Sequence, residues 1–287
     1  MLTLLLRHYR RFAVFSGGLA LFCTAELAGT MPALPTISYV GTFLISFIAF
    51  SIAAVGVYAL IPRRRGFLEI IGMAAFATAA LLFYALRYNF DGYLQGVGGG
   101  VVLVLLAGLI WAGLHSKLSR KIGAETTWRD RHSGHVPFPA RLIWRHVVPG
   151  AAEPDAHCTG MMAHYQEDDE DPDTVHVTFK GRKNRAAQYT LTFLERDQPS
   201  ACRFFFQGTE ADGTVVDGIF SLRATVLERD TCFLSCVEER SGLSIGSLVE
   251  RWFDDALGYQ HDKLLEKLET LYGETYGTRK SSMMAVE

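Results

Sequence analysis

Charge is scarce at the start of this chain: the first ~120 residues hold long apolar runs with few charged residues, and nearly all the acids fall later. That distribution excludes a single uniformly water-exposed fold and divides the chain into two regions suited to different solvents. Other absences narrow the function. The five cysteines form no C-x-x-C pair and no metal-ligand spacing, so buried reduced thiols are expected for Cys158, Cys202, Cys232 and Cys236. His132 and His135 lie i, i+3 on an expected strand and point to opposite faces, and His157 and His164 are also an odd number apart, so no metal site is expected. There is no G-x-S-x-G, no paired-carboxylate motif and no glycine-rich phosphate loop in a strand-to-helix context; VGGGVV sits inside an apolar run. No catalytic residue and no cofactor are therefore assigned. With a net charge of −2 and no aromatic residues interleaved with the bases, nucleic acid is not an expected partner.

What the first region does contain is four apolar runs, Phe12 to Met31, Ser38 to Ile61, Phe67 to Arg87 and Leu94 to His115. Each is near the ~20 residues that cross a ~30 Å hydrocarbon core as a helix. The first lacks a separate small-residue cleavage pattern, which favours a span over a signal peptide. Arg7, Arg10 and Arg11 precede the first run, Arg63, Arg64 and Arg65 follow the second, and Lys117, Arg120 and Lys121 follow the fourth. Basic loops stay cytoplasmic, so both termini are expected there, most naturally at a bacterial inner membrane. Gly96 and Gly100 make a G-x-x-x-G suited to close helix packing, within the bundle or between copies as a homo-oligomer. Glu26 is the one acid placed deep in a span; without a partner assigned to it, no ion or proton pathway is traced.

From Glu125 onward the period changes. ETTWRDRHSGHV reads as a strand, and PFPARLIWRHVVPG as a short helix opened by Pro137 and Pro139, with one further turn in AAEPDAH. CTGMMAHYQ, TVHVTFK, AAQYTLTFLER, ACRFFFQGTE, VVDGIFSLRATVLE and TCFLSCVEER then read as strands separated by turn chemistry, which favours an antiparallel meander of seven strands. The acidic run EDDEDPD and the basic run KGRKNR read as hairpin tips. LVERWFDDALGYQHDKLLEKLETLYG closes the region as a helix with one broad apolar stripe. His261 breaks its heptad, and six acids against three bases give it a net-acidic face, so neither a coiled coil nor a membrane-surface helix fits.

This order of elements resembles the SRPBCC superfamily of START and polyketide cyclase-like domains, over roughly Thr126 to Tyr272. The resemblance rests on PARLIW, on the meander and on GLSIGSLVERWFDDALGYQHDKLLEKLETL. It implies a helix-grip fold, in which a curved sheet wraps a long C-terminal helix around an elongated apolar cavity. The whole is thus expected to be an all-α transmembrane bundle (1–122) followed by an α+β helix-grip domain (123–275) on the cytoplasmic side and a disordered tail (276–287). Cavity-facing candidates are Tyr165, His176 and Tyr189 from strands, with Trp252, Phe253 and Leu257 from the closing helix. The function that follows is a membrane-tethered protein binding an apolar or amphipathic small molecule, with lipid the first candidate. Its alternatives are a cyclase or dehydratase-type enzyme and a regulatory protein-interaction module.

Overall fold

A computed structural model describes residues 7–60, 66–88, 97–116, 127–180, 186–210, 213–228 and 230–283. The chain forms two compact units, one of Met1–Ser119 with Val249–Asp254, the other of Arg120–Leu248 with Asp255–Glu287. A single boundary near residue 122 therefore becomes an unequal sharing of the chain. The basic residues Arg63, Arg64, Arg65, Lys117, Arg120, Lys121, Arg182, Lys183 and Arg185 lie outside the described residues.

The first unit holds α1 (Tyr9–Thr30), α2 (Thr36–Leu60), α3 (Gly66–Arg87) and α4 (Val97–His115). All four are long and apolar enough to cross a membrane. In α1, Phe12 and Phe15 join Ala54 and Tyr58 of α2 and Leu68 of α3 in one buried cluster, while Ala25 meets Ala79 and Leu82 in another. Backbones approach most closely where α1 and α3 meet at two glycines. A Cβ on Gly18 would lie 2.3 Å from the carbonyl oxygen of Gly72, and one on Gly72 would lie 2.7 Å from that of Val14. Close approach of small residues is thus observed at Gly18 and Gly72. Gly96 is outside the described residues, and a Cβ on Gly100 would meet nothing, since α4 is almost unburied along its length.

Glu69, inside α3 and 2% exposed, is bound by the guanidinium of Arg11. Arg11 also reaches Asp254 at 2.9 Å, and His8 Nδ1 lies 3.3 Å from the same carboxylate. Arg10 Nη1 donates to the carbonyl of Trp252 at 2.8 Å. Glu69 is a second acid within the apolar runs, one that a search for acids deep in a span passes over. Its basic partner offsets part of the penalty for burying its charge.

The second unit holds β1 (Trp128–Val136), α5 (Ala140–Val147), a 3-10 turn (Pro154–Ala156), β2 (Met162–Glu167), β3 (Thr174–Lys180), β4 (Ala186–Asp197), β5 (Ala201–Thr209), β6 (Val215–Glu228) and β7 (Thr231–Ser241). The strands form one antiparallel sheet in the order β1-β7-β6-β5-β4-β3-β2, so the meander is closed at one end by β1 beside β7. Period-two alternation puts Val175, Val177, Leu191, Phe193, Cys202, Phe204, Phe206, Leu222, Cys232 and Leu234 on one face. After β7 come α6 (Ile245–Phe253) and α7 (Ala256–Met283). Leu264 and Leu268 of α7, at most 1% exposed, enter the same core as that sheet face and as Ile143 and Trp144 of α5. Burying each such leucine stabilises the fold by about 1.5–3 kcal/mol. This is the helix-grip architecture: a seven-stranded antiparallel sheet with a long C-terminal helix across one face.

Three details differ from the sequence-based expectation. The single closing helix is two, because the Asp255 carboxylate caps α7, accepting from the Gly258 amide at 2.9 Å, while Ser244 caps α6 by accepting from the Ser247 amide at 3.1 Å. Leu271, assigned to the apolar stripe, is 54% exposed. The helix also runs on to Met283, into the segment expected as a tail. Tyr276 fastens it there, its ring 6.1 Å from that of Phe138 and its hydroxyl accepting from Arg141 at 3.3 Å. Residues 284–287 lie outside the described residues.

Candidate functional site

Strand parity decides which expected site residues share a face. Tyr189 stands beside Leu191 and Phe193 in β4, on the core face. Its ring makes edge-to-face contacts with Phe179 of β3 (6.0 Å) and Phe206 of β5 (6.1 Å), so aromatic rings run continuously across three strands. Tyr165 of β2 packs against the same core, over Gly150, whose φ of +81° and lack of a Cβ make the approach possible. Its hydroxyl donates to Glu167 at 3.0 Å, and burial, then that bond, push its pKa up to about 12. Leu257, 3% exposed, belongs to the first turn of α7.

The other three are not brought to this face. His176 falls between Val175 and Val177 and therefore points to the opposite side, where it is exposed and bonded to Asp168 (3.1 Å) and Thr190 (3.2 Å). Trp252 and Phe253 lie on α6, separated from Leu257 by the cap at Asp255, and belong to the other compact unit. There Phe253 is 3% exposed, and Trp252 carries the Arg10 guanidinium 5.4 Å from its ring centre.

A polar cluster occupies one end of the core face. Arg240 of β7 is bonded through Nε to Glu238 and through Nη1 to Glu210. Its guanidinium sits 5.0 Å from the ring centre of Phe206 and 5.9 Å from that of Tyr189. Glu238 is only 6% exposed. Two glycines allow the rings to come so near the sheet. A Cβ on Gly218 would lie 2.6 Å from Phe206 Cζ, and one on Gly208 would lie 2.6 Å from Tyr189 Cδ1. Opposite Glu238 in register stands Asp130 of β1, and opposite Arg240 stands Trp128.

Burial governs how these groups ionise. It opposes the charge on Arg240, but Glu238, Tyr189 and Glu210 outweigh it and raise the guanidinium pKa, so Arg240 stays charged. Burial, then the nearby Glu210 charge, pushes the Tyr189 phenol up to about 12, keeping it a neutral hydrogen-bonding group. Asp130 is raised chiefly by burial, although the amides of Arg131 (2.9 Å) and Leu257 bond to it. Replacing a buried ion pair by packed apolar residues is often neutral or stabilising, so such a pair beside the rings of Phe206 and Tyr189 is weakly explained by stability alone.

Further along the same face the rings of His132 and His261 meet at a tilt, 4.8 Å between centres, with His261 over Gly134. Among the described residues no group of three or more His, Cys, Asp or Glu could hold a metal ion. On the opposite face of the sheet an open groove of about 420 Å³ is lined by residues including Arg129, Arg203, Arg223, Glu195 and Glu239.

No family model and no curated protein matches the chain. Similar solved structures align with the C-terminal half. A conserved protein from Geobacillus kaustophilus is 9% identical and covers 52% of this chain and 97% of its own, with a TM-score of 0.40. Truncated norcoclaurine synthase from Thalictrum flavum is 14% identical over 52% of this chain and 96% of its own, with a TM-score of 0.37. The Zhui aromatase/cyclase from Streptomyces sp. R1128 is 16% identical over 52% and 99%, with a TM-score of 0.35. The helix-grip fold itself stands on the strand order, the register and the seating of α7 described above.

Proposed function

We propose that this chain is a membrane-tethered binding protein whose helix-grip domain takes up an amphipathic small molecule between the sheet and α7. One observation carries the reading: the helix-facing side of the sheet joins a continuous aromatic wall to a buried charged cluster, which is the division of labour expected of a site for a ligand with an apolar body and a polar head. Tyr189, Tyr165 and Leu257 lie on or beside that face and are its proposed apolar contacts, with Arg240, Glu238 and Glu210 the polar ones. The four apolar helices supply the tether, with both termini on the cytoplasmic side of the inner membrane. Residues 116–127 join α4 to β1. Carriage on one chain with the apolar helices raises the effective concentration of membrane-dissolved ligands. Binding is favoured over the cyclase-type alternative because the polar groups of the cluster are engaged in mutual ion pairs beside a phenol held neutral.

Full-length protein exchanged from detergent into nanodiscs tests this by native mass spectrometry. The reading expects a co-purified small molecule, or uptake of an added amphiphile, that is lost when Phe206→Asp breaks the aromatic wall. A chain that carries no such species and takes none up would refute it.

A further inference from the structure

The break between α6 and α7 divides the charge of the closing stretch unequally. Five of its six acids lie beyond Phe253, whereas α6 itself holds one acid, Glu250, and one base, Arg251. The net-acidic face that speaks against a membrane-surface helix therefore belongs to α7 and is no objection to α6. The last turn of α6 is fastened to the start of α1: Arg10 Nη1 donates to the Trp252 carbonyl at 2.8 Å, Arg11 and His8 hold Asp254, and Phe253 is buried. The 22 residues of α1 rise about 33 Å, close to the ~30 Å of a hydrocarbon core, so Tyr9 and Arg10 fall at its edge. The same end carries the last turn of α2 and the first turn of α3, since the His8 ring lies 5.0 Å from that of Tyr58 and Arg11 binds Glu69. There the exposed guanidinium of Arg10 lies 5.7 Å from the ring centre of Tyr9 and 5.4 Å from that of Trp252, and both rings are themselves exposed.

We propose that Tyr9, Arg10 and Trp252 form an interfacial anchor that seats the last turn of α6 in the phospholipid headgroup layer; the proposal rests on the reading that the four apolar helices cross a bilayer. Three arguments select lipid as the partner. Tyrosine and tryptophan each join an apolar body to a polar tip, which favours the boundary between hydrocarbon and water over either side of it. The bonds from Arg10 to the Tyr9 hydroxyl and the Trp252 carbonyl use two of the five N–H donors of an exposed guanidinium. Its remaining donors suit the phosphate oxygens that a headgroup layer offers at that depth, in charge-assisted bonds. The third argument is placement. A single exposed tryptophan is ordinary on a protein surface, but Trp252 stands between a buried phenylalanine and an aspartate bound by a buried arginine, so it is held at the end of α1 and cannot leave that level while those contacts last.

The test uses the full chain in nanodiscs of phosphatidylcholine brominated near the headgroup end of its acyl chains. Bromine quenches tryptophan emission from within the bilayer, and acrylamide quenches it from water. The chain has four tryptophans, and two are isolated by difference: the emission lost on Trp252→Phe belongs to Trp252, and that lost on Trp111→Phe to Trp111 of α4. Both substitutions keep an aromatic ring at an exposed position, where folding is not at stake. Bromolipid is expected to quench the Trp252 emission to within about twofold of the Trp111 emission, and acrylamide to quench it at least threefold less than free N-acetyltryptophanamide. Arg10→Gln is expected to weaken the bromolipid quenching of Trp252 at least twofold and to leave that of Trp111 unchanged. A Trp252 emission open to acrylamide and untouched by bromolipid, with Trp111 quenched, would overturn the anchor while leaving the spans standing, and an Arg10→Gln chain quenched as before would overturn the part assigned to Arg10. If bromolipid quenches neither tryptophan, the spanning reading fails with the anchor.

Discussion

Leu264 and Leu271 lie seven residues apart on α7, so a coiled-coil seam would use both, whereas the helix-grip fold buries only the first. Leu264 is 1% exposed and Leu271 is 54% exposed. Leu264→Ala removes three carbons from the core, a transfer loss of about 2.4 kcal/mol at ~0.8 kcal/mol per methylene. The residual cavity between α7, α5 and the sheet brings the expected loss to about 2–5 kcal/mol. Leu271→Ala should change stability by less than about 0.5 kcal/mol. For a unit of this size, at about 2–4 °C per kcal/mol, the difference corresponds to roughly 3–18 °C in Tm. The assay is unfolding of the nanodisc-held chain followed by tryptophan fluorescence, since Trp128 and Trp144 report from within the second unit. Comparable losses from the two substitutions, or a larger loss from Leu271→Ala, would refute the packing of α7 described here.

Three further outcomes follow from the structure. Asp255→Ala removes the cap of α7 and should lower stability by about 1 kcal/mol in the same melt, with Asp255→Ser restoring most of it. Arg11→Ala strands Glu69 and should cost about 3–5 kcal/mol, whereas Arg11→Met combined with Glu69→Met should recover most of the loss; a double variant as unstable as the single one would count against the ion pair. His157 donates through Nε2 to the Val147 carbonyl at 3.2 Å, and its pKa falls from 6.5 to about 4, mainly through burial. The unfolded chain therefore takes up a proton before the folded one does, so stability is complete above about pH 6.5 and erodes as pH falls toward 4. His157→Gln should flatten that slope in pH-dependent melts.

Much of the fold was legible because period-two patterns are local. Val175 and Val177, or Tyr189, Leu191 and Phe193, identify a buried face before any pairing is known. The same parity argued against His176 from the start, since it falls between two buried valines. Parity also ran on unnoticed through β7, where Cys232, Leu234 and Cys236 lead to Glu238 and Arg240. Those two read as the polar end of a strand because nothing local tells a solvated charge from a paired one; Glu210, thirty residues before Arg240 and just past the end of β5, completes the cluster. The break in the closing helix had a signal in the DD of Asp254 and Asp255, hidden by an apolar stripe that continued on both sides. The pairing of Glu69 carries no local signal, because its partner, Arg11, lies on another helix.

The short segment Val249–Asp254 carries a practical consequence. It lies between β7 and α7 in sequence yet belongs to the unit formed by the apolar helices, where Asp254 meets Arg11 and Phe253 is 3% exposed. Truncation after Ser119 would therefore not release a self-sufficient domain. It would leave a phenylalanine and an aspartate without the surroundings that bury and neutralise them, immediately before the helix that closes the sheet. A chain beginning at residue 120 should aggregate or lose protection at α6 unless Phe253 is also made polar, and Phe253→Ser in that shortened chain should restore solubility. Cutting away the apolar helices thus calls for a repair more than a hundred residues downstream of the cut.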